Sequence, residues 1–198
     1  MADYAAIAAA GRSIERLLNA SFENEEPVEG KKTRAVLVRT ADFEPNAIAT
    51  SIGSPALSVF FYRVDFDKTM RATWSGIGSQ DGRGRLAVDL HFLITPWADN
   101  SEFELRIIGK AMQSLETTPI LSGPLLHPSA AWGPNESVQV VLEEISTEEV
   151  MRTFDSLPTD FRLSVPYIAR NVRIDAREDR PDTPVTTLVT GTKPGLEL

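Results

Sequence analysis

Asp89 and His91 stand two residues apart, so one extended strand would carry both side chains on the same face, within reach of a shared ligand. A carboxylate beside an imidazole is the start of an acid–base pair or of a metal site, and either chemistry needs further partners. The only other histidine, His127, lies in a Pro-flanked loop, and no third ligand can be identified. The plainer alternative is a polar strand face that a neighbouring subunit could cover. The stretch Gly76-Ile77-Gly78-Ser79-Gln80-Asp81-Gly82 has the glycine content of a phosphate cradle. Asp81, however, occupies a position where the dinucleotide pattern requires Gly, and the stretch falls between two strands instead of at a strand-to-helix turn. It reads as a hairpin loop. There is no cysteine, which excludes disulfides, thiolate zinc sites and cysteine nucleophiles. No serine sits in a nucleophile-elbow pattern. The expectation is therefore no catalytic residue, no cofactor and no metal: a protein that is not an enzyme. Trp74, Trp97 and Trp132 fall in predicted loops or at strand ends, where a core edge and an interface are equally good explanations. Trp132, between Ala131 and Gly133-Pro134, is the candidate contact residue, because Trp is favoured at interface hot spots.

The elements that must hold these residues can be read from periodicity. Residues 3–22 predict a helix, with Ile7, Ala10, Ile14, Leu17 and Leu18 at helical spacing and Asp3 as N-cap. Residues 23–33 read as an exposed, mobile loop. Residues 35–38 form a short apolar strand, and 45–55 read as irregular. In the strand 57–66, Leu57, Val59 and Phe61 are expected on one face and Phe60, Tyr62, Val64 and Phe66 on the other, so both faces need cover. Residues 86–94 alternate most clearly, setting Leu86, Val88, Leu90, Phe92 and Ile94 against Ala87, Asp89, His91 and Leu93. Ser101 with Glu104, and Ser146 with Glu149, match the capping-box pattern of two helices. The first carries Phe103, Ile107, Ile108, Ala111, Met112 and Leu115 on one stripe and stops at Pro119. A Pro- and Gly-rich loop, 118–134, leads to a strand over 138–145. The second capped helix stops at Pro158, and a strand follows over 161–174, with Pro166 predicting an edge position or a bulge.

The chain has 198 residues, 42% hydrophobic and 24% charged, which suits one soluble domain with a real core. With 28 Asp and Glu against 20 Lys and Arg, the net charge of -8 repels phosphate backbones and disfavours nucleic acid as a partner. No run approaches the ~18 apolar residues of a membrane-spanning helix, so direct membrane insertion is not expected. The start, Met1-Ala2-Asp3-Tyr4, lacks the basic region of a secretory signal, which predicts a cytoplasmic protein. The expected fold is mixed α/β (α+β): a single domain over 1–175 with a mixed, mainly antiparallel sheet flanked by helices, then an extended, flexible C-terminal arm over 176–198. Within that arm Val185, Thr186, Thr187, Leu188 and Val189 have strand propensity, and a partner could order them.

Four stretches carry a family resemblance. Phe60-Phe61-Tyr62-Arg63-Val64 is similar to an aromatic "LYRV" strand, and residues 88–95 with Trp97 and Asp99 to "LDLHYLLT" and its turn. Residues 106–113 with Leu115, Pro119, Ile120 and Leu121 are similar to the helix "RLLGxAMQxL" and the "PVL" after it. Glu148-Glu149 and residues 161–167 are similar to a closing helix and the strand "YRLSVAYxV". In this order and spacing, the chain resembles the N-terminal domain of tail-terminator (cap) proteins of extracellular contractile injection systems, the virulence-cassette and antifeeding-prophage type. The resemblance implies a hexameric ring on the last layer of the inner tube and its sheath. Such a ring ends polymerisation of both and anchors the sheath at the distal end, with inner-tube and sheath proteins as partners and no cofactor. The protein would then be cytoplasmic as part of an assembled particle, and released with it if the particle is. The alternative is an adaptor tethering the particle's distal end to a membrane or another cellular structure, although Lys31-Lys32 is too short a basic patch to bind lipid by itself.

Overall fold

Most of the apolar stripes predicted from the sequence pack in or against a six-stranded sheet, while Val64, Phe66, Leu86, Phe161 and Leu163 stay exposed. The computed structural model describes residues 2–68 and 84–176. Trp74, the stretch 76–82 and the arm residues Val185, Thr186, Thr187, Leu188 and Val189 lie outside them. Helix α1 (Ala6–Asn24) is followed by β1 (Arg34–Val38), the three-residue helix α2 (Pro45–Ala47), β2 (Ala56–Phe66) and β3 (Arg85–Trp97). Then come α3 (Ser101–Thr117), β4 (Ile120–Ser122), β5 (Ser137–Leu142), α4 (Thr147–Asp155) and β6 (Val165–Asp175). The strand order is β1-β2-β3-β6-β5-β4, with β1 parallel to β2 and the remaining pairs antiparallel. The expected mixed, mainly antiparallel single domain is what forms.

One face of the sheet carries the main core. Ala6, Ala10, Ile14, Leu18 and Phe22 of α1 and Ile107, Ala111 and Leu115 of α3 pack on Leu57, Val59, Leu90, Phe92, Ile94, Tyr167 and Ala169. Gly11 lets α1 approach closely: a Cβ there would lie 3.2 Å from the Phe61 ring and 3.5 Å from Leu37. The opposite face is covered in two patches. Phe43, Ile52, Phe60 and Trp97 form one, and α4 lays Val150 and Phe154 on Leu93 to form the other.

Several expectations need correction. The segment 45–55 is irregular only at its end: α2 and a π-helical turn (Ile48–Ile52) fill 45–52, and with the 3-10 turn Thr40–Phe43 before them they bury Phe43 and Ile52. Helix α1 starts at Ala6 instead of Asp3, whose carboxylate accepts from the Ala5 N–H outside the helix. Helix α3 is capped by Asn100, which accepts from the Phe103 N–H, so the Ser101–Glu104 box is one residue late; the Ser146–Glu149 box forms as expected. The loop 23–33 is pinned by buried Val28 and by the Lys31–Asp99 pair at 2.6 Å. β5 ends at Leu142, and the segment 161–164 precedes β6 instead of belonging to it.

Pro166 lies in an interior strand, not an edge. Its carbonyl accepts from the Glu143 N–H just past the last paired residue of β5, so its missing donor faces the side where the ladder has ended. The bulge in β6 falls later, between Ala169 and Val172, where Asn171 takes φ 64°.

The largest correction concerns β2. Its pairing with β3 slips between Phe61 and Arg63, so one extra residue, Tyr62, reverses the alternation beyond it. Val64 and Phe66 then join the face of Leu57 and Val59, where they are 52% and 42% exposed. Arg63 and Asp65 move opposite His91 and Asp89.

Candidate functional site

The slip at Tyr62 assembles the polar group to which Asp89 and His91 belong. Arg63 pairs with His91 across β2 and β3, and Asp65 with Asp89. Glu143 enters from the end of β5, its side chain only 6% exposed. His91 Nδ1 lies 2.7 Å from Glu143 Oε1, and Nε2 lies 3.3 Å from Asp65 Oδ2. Tyr62 donates its hydroxyl to Glu143 Oε2 at 2.9 Å. Arg63 spans both carboxylates, with Nη2 3.3 Å from Glu143 and Nε 3.1 Å from Asp65. Burial, then the Glu143 hydrogen bond and charge, raise the Tyr62 phenol well above its ordinary value.

Asp89, on the same strand face as His91, takes no part in this network. Its carboxylate accepts from the Asn171 backbone N–H at the β6 bulge, and Oδ1 is buried with no partner among the described residues. Burial first, and the nearby Asp67 charge second, push its pKa up. It borders a groove of about 460 Å³ with Asp65, Phe66, Asp67, Lys68, His91, Ile168 and Arg170. His127 is elsewhere: its N–H donates to Ser13 Oγ on α1, and its ring meets Ser129 at 2.9 Å, so it shares no partner with His91.

What this arrangement does within the fold is hold strands together. His91 Nδ1 faces Glu143, Nε2 faces Asp65, and Arg63 Nη2 lies 3.1 and 3.3 Å from the two ring nitrogens, so this chain's own side chains surround the ring. Among the described residues, no group of three His, Cys, Asp or Glu is placed to hold a metal ion. Glu143, Tyr62 and Arg63 form a staple that ties the β2 bulge to β3 and to the end of β5. Sequence reasoning missed Glu143 entirely. The signal was faint: one carboxylate in an acidic run, 52 positions from His91 in the chain.

The tryptophans divide. Trp97 is core, donating its indole N–H to Ser58 Oγ at 2.9 Å and lying 6.0 Å from Phe43. Trp132 is half-buried against the main core and donates to the His127 carbonyl at 2.8 Å, which fixes its loop.

The sheet edges bear on any partner. On the outer side of β1, Asn19 of α1 binds both the N–H and the C=O of Ala35 at 2.9 Å, and Glu15 accepts from the Leu37 N–H at 3.2 Å. That edge is closed to strand addition. At the other edge, β4 is only three residues long, with Ile120 exposed. No described helix is long and apolar enough to cross a membrane.

Comparison with known proteins places this geometry. The family model described as the Pvc16 N-terminal domain matches residues 9–187. Among solved structures, the chain is similar to the sheath/tube terminator, in the extended state, of an extracellular contractile injection system called PVC. That match has 20% identity and a TM-score of 0.53, and covers 94% of this chain and 64% of that one. It is similar as well to the anti-feeding prophage cap, a tube-terminating cap, at 20% identity and a TM-score of 0.55, covering 93% of this chain and 60% of that one. The chain thus spans somewhat under two thirds of each solved neighbour's length. No curated protein matches it.

Proposed function

This chain belongs to the Pvc16 N-terminal domain family, and from that membership we propose that it is a structural terminator of a contractile, phage-tail-like injection particle. It ends polymerisation of the inner tube and sheath and anchors the sheath at the distal end, as a hexameric ring whose partners are the tube protein, the sheath protein and itself. The observation that carries this is the shared fold: almost the whole chain superposes on two proteins named as a terminator and a cap. A role without catalysis, cofactor or metal is supported by the solved neighbours being named as a terminator and a cap. The protein works in the cytoplasm as part of the assembled particle. Nothing in the comparisons favours the tethering adaptor.

We further propose that 1–175 is the terminator domain and 176–198 an arm. In that arm Val185, Thr186, Thr187, Leu188 and Val189 would add a strand to an open sheet edge of a sheath or neighbouring subunit. Trp132 would present its exposed part to a partner. Deleting residues after Asp175 should abolish sheath anchoring and leave the folded domain intact; capped, contractile particles formed by the truncated protein would remove the arm from the model.

The test of the main proposal is imaging of particles from a strain lacking this gene, beside the wild type. Tubes of uncontrolled length, or sheaths that fail to stay assembled, are the expected result. Normal capped particles that contract would overturn it.

A further inference from the structure

Antiparallel neighbours such as β5 and β6 can be joined by a turn of about two residues. Here the connection leaves the sheet at Glu143, forms α4 and returns at Val165. It buries little: Val150 and Phe154 against Leu93, with Tyr62, Ile145 and Leu157 around them. It exposes more. Met151, Phe161 and Leu163 are 45–49% exposed. Met151 lies one helical turn from Phe154, whose ring meets Phe161 edge-on at 5.4 Å. Arg162 binds Glu104 at 3.2 Å, bringing the return segment to the first turn of α3 beside Leu105, itself 58% exposed.

Acids outnumber cations around these side chains. Glu144, Glu148, Glu149, Asp155 and Asp160 of the connection are all exposed. Its cations are Arg152 and Arg162, and both are taken. Arg152 pairs with Glu148 at 2.7 Å, while Arg162 pairs with Glu104 and lies 4.4 Å over the Trp97 ring. Exposed apolar groups of this number, rimmed by polar ones, mark an interaction surface, and the rim selects the sign of what docks.

We propose that the outer side of this connection, Met151, Phe161 and Leu163 within a mainly acidic rim, is the docking surface for a protein segment that pairs apolar side chains with Lys or Arg. A second copy meeting it through the same face would set acidic rim against acidic rim, which disfavours that occupant. The inference rests on the terminator reading only in its choice of probe, the tube and sheath proteins of the same particle.

The test measures binding of the full chain to each purified protein, over a range of salt. One variant set removes the apolar groups (Met151→Ser with Leu163→Ser, sparing Phe161 because it packs on Phe154). A second reverses the rim (Glu148→Lys, Asp155→Lys, Asp160→Lys). A control alters exposed apolar groups elsewhere (Tyr4→Ser, Leu86→Ser). Each of the first two sets should weaken binding to one of the proteins by about tenfold or more, with the control unchanged. Wild-type binding should fall with salt, and the rim-reversed set should lose that dependence. Undiminished binding by the apolar variants overturns the docking surface, and tighter binding by the rim-reversed set overturns its charge selectivity. Self-association that these variants abolish assigns the face to a second copy and overturns the proposed occupant. If the wild type binds neither protein, the terminator reading itself fails and takes this partner with it.

Discussion

Removing the Glu143 carboxylate should cost the fold about 3 kcal/mol. Its side chain is 6% exposed and accepts from Tyr62 at 2.9 Å and His91 at 2.7 Å, with Arg63 at 3.3 Å. Hydrogen bonds to an ionised group contribute ~1.5–3 kcal/mol each. Arg63 is 48% exposed and recovers water when the carboxylate goes, so it adds little. Tyr62 and His91 are the two donors left stranded, and at the lower bound for each the sum is about 3 kcal/mol. For a domain of this size that lowers Tm by about 6–12 °C. Glu143→Gln keeps an acceptor for Tyr62 but loses the charge facing His91, and should fall between the wild type and Glu143→Ala. Asp65, with 53% of its side chain exposed, is the internal comparison: Asp65→Ala should cost less than ~1 kcal/mol. Thermal unfolding followed by circular dichroism, with urea titration for the free energy, measures all three. A Glu143→Ala melt within ~2 °C of the wild type, or an Asp65→Ala loss as large, would refute the account of this network as a staple.

Gly11→Leu should destabilise by ~1–3 kcal/mol in urea unfolding, because the first added carbon already meets Phe61 at 3.2 Å. Asn19→Ala removes both bonds to Ala35 on the outer edge of β1. It should cost about 1–2 kcal/mol and raise concentration-dependent aggregation, read by light scattering. Burial pushes Tyr167 up to about 12, with the Glu116 charge adding to it, and Tyr62 is raised as well. A folded pKa above the unfolded value of about 10 means the native state holds its proton longer, so this stability is intact below pH ~10 and lost as pH rises through ~12. Phenolate absorbance should therefore show two of the three tyrosines ionising late, together with loss of the fold; early ionisation of all three in a folded protein would contradict it.

Periodicity was most informative where one side chain's surroundings lie within a few turns of chain. The α3 stripe of Ile107, Ala111 and Leu115 and the alternation of Val88, Leu90, Phe92 and Ile94 are buried as their spacing predicts, whereas Leu86, the first residue of that alternation, is exposed near the end of the strand. The Ser146–Glu149 cap closes as written, because both partners lie in a single turn. The helical turns over 40–52 were illegible, since their stability comes from burying Phe43 and Ile52 against Phe60 and Trp97 instead of from helix propensity. Asp89 and His91 do share a strand face. Asp89 nevertheless stands apart from the His91 network, and Glu143, the group that completes it, comes from another strand.

Most of the long elements, the apolar faces of α3 and the middle of β3, and the family to which they point are legible along the chain, because 2.0- and 3.6-residue periods are local properties. What the polar residues do is settled by the fold. One extra residue at Tyr62 turns Arg63 and Asp65 toward His91 and turns Val64 and Phe66 to the helix side of the sheet. A bulge is a property of the pairing between two strands, and no pattern along either strand records it.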